Sequence, residues 1–385
     1  MANKGLFIHT IIIMVSVFIC TSCKSNVKMQ PKTQFVWEPS VAAPIYYPVE
    51  TKYAFVTFGE SGRYPIMENF IGTGIGVHSG GVGLDDFDTE GGFDLPNGLD
   101  VLWLSYAEKK YYKANIKFSQ ELQDRILELF RENVYDSEYK KNRHYTGFVV
   151  TLLPGGKIWL YLDCTTRCTL VCDSLQGKEV QVSLKDFEKD AFMIHGTTEK
   201  LCESAIKDYE GAAENLKKNG IPLNLWDQYA ERFRYDLKIV FENEKTILSP
   251  DVMSHFSNGE LYCNDDRVPK DMQARIKYII CRWRVADTLY MGEFFFDEEE
   301  VLRSFPLALG RDCRQKGELI VHIDKYNNGF DIFLQVGDKK YELEETKIHV
   351  FRETPENKDS DDDDDDIFFN NHRDQHSSTF KFIGE

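Results

Sequence analysis

The stretch LPNGLDVLWLSYAEKKYYKANIKFSQELQDRILELF, residues 95–130, decides the fold class of this chain. In its first part Leu99, Val101 and Trp103 alternate with residues of the opposite face, and this period of two predicts a strand with one buried face. From Ser119, which stands where an N-cap belongs, the apolar residues recur at helical spacing instead. The stretch therefore predicts a β-hairpin followed by a helix.

The same order of elements occurs twice along the chain. Each copy consists of a hairpin, a helix and a second hairpin, and a further strand precedes each copy, at residues 53–58 and 236–241. The predicted elements are 99–118, 119–131 and 147–162 in the first copy, and 274–296, 297–304 and 317–336 in the second. Because strand pairs alternate with single helices, we predict an α+β fold of two tandem repeats of antiparallel β-hairpin, helix and β-hairpin.

A helical connector is predicted between the copies. Apolar residues from Leu201 to Leu216 form one stripe, which Asn219 and Gly220 end, and Pro306 is expected to end the helix of the second copy. The aspartate block in the tail cannot be buried. The predicted segments are a signal peptide (1–22), a lipidated tether (23–34), the first repeat (35–185), the connector (186–234), the second repeat (235–352) and an acidic disordered tail (353–385).

The first residues predict an address in the cell envelope. Residues 6–19 form an apolar run that is too short to span a bilayer comfortably and that follows a positive start. Small residues precede Cys23, which is therefore the expected site of lipid attachment, whereas bulky residues precede Cys20. A cleaved signal peptide without a lipid is the alternative. Acyl chains on Cys23 would hold the protein at a membrane surface without a spanning helix.

The residues after Cys23 favour the outer membrane. The tether carries three lysines and no acidic residue before Glu38, so it lacks the acidic residue that retains many lipoproteins in the inner membrane. It also lacks the acidic residues that send some lipoproteins to the cell surface. We therefore expect a palmitoylated lipoprotein of the outer membrane that faces the periplasm.

The composition is that of a globular protein with an acidic surface. Apolar residues make up 42% of the chain, which is enough for one large core or two ordinary ones. The formal net charge is −17 at pH 7, and no basic stripe with interleaved aromatic residues occurs. Because an acidic surface repels phosphate backbones, we expect no nucleic acid partner.

Cys164, Cys168 and Cys172 have the regular spacing of possible metal ligands. Zinc knuckles bring their ligands in pairs across a short turn, and this segment has neither a second pair nor a nearby histidine. We therefore expect no metal and no cofactor. Either a local disulfide between Cys164 and Cys168 or thiols that only pack accounts for the cluster.

The glycine-rich segment around His78 is a candidate catalytic loop with a weak signal. A dinucleotide-binding loop needs a helix after it, whereas residues 85–96 have a turn-like composition, and no Gly-x-Ser-x-Gly motif occurs in the chain. We therefore expect no catalytic residues. A periplasmic hydrolase that uses His78 is an alternative, and it requires His78, Asp86 and Asp88 to converge on a concave pocket.

The acidic residues after His78 have the spacing of a calcium loop. Asp86, Asp88, Glu90 and Asp94 fall at the first, third, fifth and ninth places of such a loop. Its twelfth place holds Asn97 instead of a glutamate, and no helix is predicted on either side, so a solvated acidic turn is the better interpretation.

Taken together, these patterns favour binding over catalysis. The working hypothesis is a membrane-anchored, non-enzymatic binding or interaction module with a possible protein partner. Its candidate binding surface is formed by His78, Asp86, Asp88, Glu90 and Asp94. A rival is an immunity-type lipoprotein that neutralises a toxin in the periplasm, since an acidic body on a tether suits a basic effector.

Three groups of residues carry a resemblance to a known family. They are Leu95, Pro96, Leu99 to Ser105, Tyr111 and Tyr112; Gly155 to Leu162; and Ile221, Pro222, Trp226, Tyr229 and Arg232 to Tyr235. In these groups the chain resembles a bacterial lipoprotein family catalogued as domain of unknown function 2931, over most of residues 37–351. The resemblance implies a lipoprotein but no particular activity, since these motifs are structural and the family has no established one.

Overall fold

A computed structural model of the protein describes residues 33–66, 70–78, 92–136, 139–263, 272–312, 314–355, 367–374, 376 and 379–385. Its strands up to the connector are β1 (Gln34–Phe35), β2 (Glu38–Ala42), β3 (Val49–Phe58), β4 (Gly62–Pro65), β5 (Phe70–Ile71), β6 (Phe93–Asp94), β7 (Pro96–Ser105), β8 (Lys110–Lys117), β9 (Val134–Asp136), β10 (Lys141–Arg143), β11 (Gly147–Leu152), β12 (Lys157–Cys164), β13 (Arg167–Gln176) and β14 (Lys178–Val180).

The later strands are β15 (Tyr235–Phe241), β16 (Ile247–Leu248), β17 (Met253–Phe256), β18 (Leu261–Cys263), β19 (Ile276–Val285), β20 (Thr288–Phe295), β21 (Gly317–Ile323), β22 (Phe330–Val336), β23 (Lys339–Glu342), β24 (Lys347–Glu353) and β25 (Ile367–Asn370). The helices are α1 (Gln120–Arg131), α2 (Leu184–Phe187), α3 (Lys189–His195), α4 (Thr198–Ala205), α5 (Ala212–Asn219), α6 (Leu225–Ala230) and α7 (Glu298–Leu309). The fold is mixed α and β, as the sequence predicts, and strands predominate.

The hairpin and helix predicted from residues 95–130 are present. Strands β7 and β8 pair antiparallel, and Trp103 lies opposite Tyr112 with the two rings stacked 5.5 Å apart. The Ser119 side chain accepts a hydrogen bond from the Leu122 amide and caps α1, which buries Phe130 in the core beneath this helix. The change from period two to helical period therefore coincides with the change in structure.

Each half of the body contributes two sheet segments. In the first half the antiparallel order is β14-β8-β7-β3-β4, and the other segment has the order β2-β11-β12-β13, in which β2 and β11 are parallel. In the second half the antiparallel order is β24-β20-β19-β17-β18, and the other segment is β15-β21-β22-β23, in which β15 and β21 are parallel. Pairing of β13 with β18 joins the halves, with Arg167 opposite Tyr262 and Cys168 opposite Leu261.

The predicted equivalence of the strands before each copy is wrong. Residues 53–58 belong to β3, which pairs antiparallel with β7 of the first hairpin. Residues 236–241 belong to β15, which pairs parallel with β21 of the second hairpin in its half. An alternating apolar pattern identifies a strand but not the strand with which it pairs. The pattern alone therefore could not show that these two strands occupy different positions in their halves.

Two predicted helices differ in length from those observed. The connector stripe is divided into α4 and α5, because Gly211 adopts a left-handed conformation with φ 74° between them. Pro306 lies inside α7, which continues to Leu309 and ends at Gly310. Proline removes one backbone hydrogen bond, and burial of Ala308 and Leu309 keeps this last turn helical.

The predicted disorder of residues 353–385 is wrong for much of that tail. Strand β25 pairs with β24 and places Phe369 opposite Val350. Phe382 is only 3% exposed, and the Trp226 indole N–H donates to the Gly384 carbonyl at 2.9 Å. These apolar residues dock on the folded body, which the charged aspartate block could not do. The block itself, 361–366, lies outside the described residues.

The main cores cross the predicted segment boundaries. One core combines Trp159 and Tyr161 of the first half with Trp226 of α6 and Trp283 of the second half. A second core lies under α1, and a third lies between the first antiparallel sheet and the connector helices. Residues 33–385 accordingly form one compact unit. Among the described residues, no helix is long and apolar enough to cross a membrane.

The cysteine cluster packs as thiols. Cys164 and Cys168 are both free and buried, and Cys172 is free and half-buried. Across the β12–β13 hairpin Cys168 lies opposite Asp163, and Cys164 lies opposite Arg167, so the two cysteines do not face each other. Of the two alternatives that the sequence left open, the structure shows packing thiols.

Candidate functional site

A cleft of about 750 Å³ separates the first antiparallel sheet from the connector helices. We call it the Glu50 cleft, and its lining includes Glu50, Lys52, Tyr106, Phe187, Ile194 and Tyr209. Strand β3 supplies the floor, while α2, α3 and α4 supply the opposite wall. The volume falls within the usual range of small-molecule sites.

A buried carboxylate lies at the floor of this cleft. Glu50 is 5% exposed, and its Oε2 accepts a hydrogen bond from the Tyr106 hydroxyl at 2.9 Å. Burial raises the pKa of Glu50, and the hydrogen bond from Tyr106 opposes that shift. No described cation forms an ion pair with Glu50, so its charge is balanced only by a neutral donor.

The nearby lysine is engaged elsewhere. Lys52 donates to the carbonyl oxygens of Asp186 and Phe187, at 2.5 Å and 2.8 Å, where α2 ends. Acidic side chains of Glu188, Asp190 and Asp208 also line the cleft. The lining therefore carries an excess of negative charge, together with a substantial apolar surface.

The mouth of the Glu50 cleft is bordered by exposed apolar side chains. Met193 and Ile194 of α3 are 74% and 77% exposed, and Phe70 is 65% exposed. Helix α3 buries none of its residues. Phe70 and Ile194 also line the cleft, and exposed apolar side chains beside a cavity are typical of a binding surface.

A second, smaller pocket of about 260 Å³ lies where the two halves meet. We call it the Asp163 pocket, and its lining includes His78, Asp163, Cys168, His255, Lys277 and Glu385. His78 comes from the loop after β5, Asp163 from β12, and His255 and Lys277 from β17 and β19 of the second half.

Asp163 is an acid of this pocket whose carboxyl group has no described partner. No described residue donates a hydrogen bond to its carboxyl group or pairs with it, and burial raises its pKa from 3.8 to about 7. Gly147 leaves room for the Asp163 and His78 side chains to approach. A Cβ at position 147 would lie 2.8 Å from Cδ2 of His78 and 3.4 Å from Oδ2 of Asp163.

The other charged groups around the pocket have partners. Lys277 forms an ion pair with Glu385. Glu260, 1% exposed in its side chain, pairs with Arg232 at 2.8 Å and accepts further hydrogen bonds from the Leu170 amide and Tyr262. Burial, helped by Lys277, lowers the pKa of His255 to about 4. Asp163 is thus the one acid of the described lining without a partner.

The structure separates the described members of the predicted binding surface. His78 lines the Asp163 pocket, whereas Asp94 lies on β6, where its carboxylate accepts a hydrogen bond from Gln34 at 3.2 Å. Asp86, Asp88 and Glu90, and with them most of the calcium-like loop, lie outside the described residues. Cys23, the predicted lipidation site, lies outside them as well.

The sequence analysis selected neither Glu50, which is buried, nor Asp163, which is half-buried. Glu50 interrupts the apolar side of a strand, and Asp163 follows the apolar run from Ile158 to Leu162 without a polar residue between them. An acid at the end of a fully apolar run is the signal that could have identified Asp163. The comparable signal for Glu50 is its spacing of two residues from Lys52, which places two charged residues on one side of a largely apolar strand, although no ion pair joins them.

The described residues of the two cavities do not join a histidine to a carboxylate or hydroxyl group by a hydrogen bond. In the described part of the chain, neither His78 nor His255 hydrogen-bonds to a carboxylate or hydroxyl group. No group of three or more His, Cys, Asp or Glu residues among the described positions is arranged to hold a metal ion. The geometry that is present is suited to holding a ligand by charge and apolar contact.

Comparisons with known proteins give one match. A family model described as protein of unknown function (DUF2931) matches residues 24–224. The match covers the first half and most of the connector, so it is shorter than the span of residues 37–351 expected from the sequence. No curated protein and no solved structure matches the chain.

Proposed function

The chain belongs to the family of proteins of unknown function DUF2931, and from that premise we propose that it is a cell-envelope lipoprotein acting as a non-enzymatic binding module, with the Glu50 cleft as its ligand site. Family membership brings no activity with it. The proposal rests on one observation, the uncompensated buried carboxylate of Glu50 in a large, partly apolar cleft.

The chemistry of the cleft selects the ligand. A buried carboxylate without a cationic partner is costly, so a ligand that brings a positive group to Glu50 gains more than it would at the surface. The apolar lining and the exposed Met193 and Ile194 favour a ligand with an apolar part. We therefore infer a ligand that is both cationic and partly apolar.

The placement in the cell rests on the sequence. Cys23 would carry the acyl chains, and the lysine-bearing tether would leave the body in the periplasm beside the outer membrane. The membrane is then a partner through the lipid alone, and the cleft is free to meet a soluble ligand or a protein.

We further propose that the two halves are tandem copies. The orders β14-β8-β7-β3-β4 and β24-β20-β19-β17-β18 correspond strand for strand, as do β2-β11-β12-β13 and β15-β21-β22-β23. The parallel pair at the start of the shorter segment occurs in both halves, and α1 and α7 occupy the same place in the order. Equal strand orders support duplication more strongly than the sequence pattern does.

An immunity-type lipoprotein that neutralises a toxin is the second candidate. The net charge of −17 and the acidic lining of the cleft favour a basic protein as partner. In that case the cleft would receive a basic side chain of the toxin. Protection of cells against a toxin encoded beside this chain would distinguish this role from binding of a small ligand.

The binding proposal can be tested with a simple amphipathic cation. We expect the detergent-extracted full chain to bind phenethylammonium more tightly than uncharged 2-phenylethanol by isothermal titration calorimetry. Glu50→Gln should weaken binding of the cation about tenfold or more, because it removes the charge at the floor. Glu344→Gln, an exposed acid of the second half, is the matched control and should bind as the unaltered chain does. Equal binding of the two probes, or full affinity in Glu50→Gln, would refute the proposal.

A further inference from the structure

The Asp163 pocket contains a half-buried acid that the proposed cleft function does not use. Its carboxyl group has no described donor, and its neighbours are arranged around it from both halves of the body. Because buried acids are normally hydrogen-bonded, an acid that opens into a cavity without a partner indicates a place for a donor from outside the chain.

The space around Asp163 limits the size of a ligand that could donate hydrogen bonds to its carboxyl group. Gly147 provides the gap between the carboxylate and the His78 ring, since a Cβ there would touch both side chains. The pocket volume of about 260 Å³ is below that of typical drug-sized sites. The pocket therefore fits a small group or the tip of a larger molecule.

The charges around the pocket define the sign of the ligand. From the second half, Lys277 is paired with Glu385, and His255 is neutral at physiological pH because burial and Lys277 lower its pKa. Glu260 is paired with Arg232, and the Cys168 thiol donates to the Gly76 carbonyl at 3.3 Å. The ionised form of Asp163 thus gives the lining one uncompensated negative charge.

We propose that the Asp163 pocket is a second binding site, distinct from the Glu50 cleft, that takes a small organic monocation bearing several N–H donors, such as a guanidinium group. The planar N–H donors of such a group match the two oxygens of a carboxylate. The His78 ring lies beside the same carboxylate and can stack on the planar cation. A dication is disfavoured, because only one charge in the described lining lacks a partner.

The affinity depends on pH in a defined direction. The cation binds the ionised carboxylate, and the carboxyl group has a pKa of about 7, so affinity falls as the pH falls below 7. Between pH 8 and pH 6 the ionised fraction, and with it the affinity, should decrease about tenfold.

The experiment uses methylguanidinium as the probe and uncharged methylurea as its control of similar shape. We expect the full chain to bind methylguanidinium but not methylurea by calorimetry at pH 8, and to lose about tenfold in affinity at pH 6. Asp163→Asn should abolish measurable binding at both pH values, whereas Glu344→Gln should behave as the unaltered chain.

A second variant tests whether binding also depends on the space beside Asp163 and His78. Gly147→Ala puts a methyl group 2.8 Å from Cδ2 of His78 and 3.4 Å from Oδ2 of Asp163, so the His78 ring has to move and binding should weaken at least tenfold although the Asp163 carboxylate is retained. Thermal unfolding of each variant establishes that it is folded before binding is measured. Absence of methylguanidinium binding to the unaltered chain, or unchanged binding in Asp163→Asn, would overturn the proposal.

Discussion

Replacement of Phe382 by alanine tests whether the last described segment is part of the folded body. The Phe382 ring is 3% exposed and lies 5.9 Å from the Tyr229 ring. Around it, the Ile383 amide donates to Glu298 at 2.7 Å, and the Gly384 amide donates to the Tyr229 hydroxyl at 3.2 Å. The segment is thus held by side-chain burial and by hydrogen bonds to α6 and α7.

The expected effect follows from the lost burial. A buried Phe→Ala change costs about 3–5 kcal/mol, and a segment near the chain end can relax, so we expect about 3 kcal/mol. The unfolding entropy of a body of about 350 residues is about 0.7 kcal/mol per degree, so the Tm should fall by about 4 °C. A disordered tail would give no change at all.

Differential scanning calorimetry of the full chain measures this effect. Tyr326→Ala is the matched control, because it removes an aromatic ring that is 63% exposed, and it should shift the Tm by less than about 1 °C. Equal Tm values for Phe382→Ala and the unaltered chain would show that the segment does not contribute to stability and would refute the reasoning.

Three further predictions concern the anchor and the buried charges. Cys23→Ala should abolish labelling with palmitate and release the body from the membrane fraction, whereas loss of labelling only in Cys20→Ala would reverse that assignment. Since burial raises the Asp163 pKa from 3.8 to about 7, the folded chain retains a proton that the unfolded chain has released, and Asp163 should lower the stability as the pH rises between these values. Asp163→Asn should therefore make the decrease in Tm from pH 4 to 8 smaller, and an unchanged pH dependence of Tm would contradict this account. Arg275→Ala should lower the free energy of unfolding, measured in urea, by about 3–5 kcal/mol. The substitution removes a fully buried guanidinium that pairs with Glu231 at 2.5 Å and covers the Phe233 ring. A loss below about 1 kcal/mol would contradict this account.

Local patterns predicted local structure well. The alternation of Leu99, Val101 and Trp103 and the cap at Ser119 identify β7 and α1. The helix predicted from residue 297 begins where Asp297 caps α7. These features depend on neighbours in sequence, so they can be read without knowledge of the fold. Partner choice depends on the whole body, and the equivalence assigned to residues 53–58 and 236–241 failed for that reason.

The sites were harder to predict than the elements. His78 was selected from the sequence and does line a pocket, but its neighbours Asp163 and His255 come from strands far away in sequence. Glu50 and Tyr106 likewise meet only because β3 and β7 pair. Predictions for the tail failed because composition was judged over the whole segment, whereas Phe382 is buried in the body and β25 pairs with β24.

The pairing of β13 with β18 has a consequence for how the molecule can be divided. Two residue pairs carry the sheet from one half into the other, and beneath them Trp159 and Tyr161 share a core with Trp283. Separate expression of either half would leave an open strand edge and an uncovered aromatic layer, both of which promote aggregation. A chimaera that exchanges one half for that of a relative therefore has to carry matching residues on both sides of this junction in order to remain soluble.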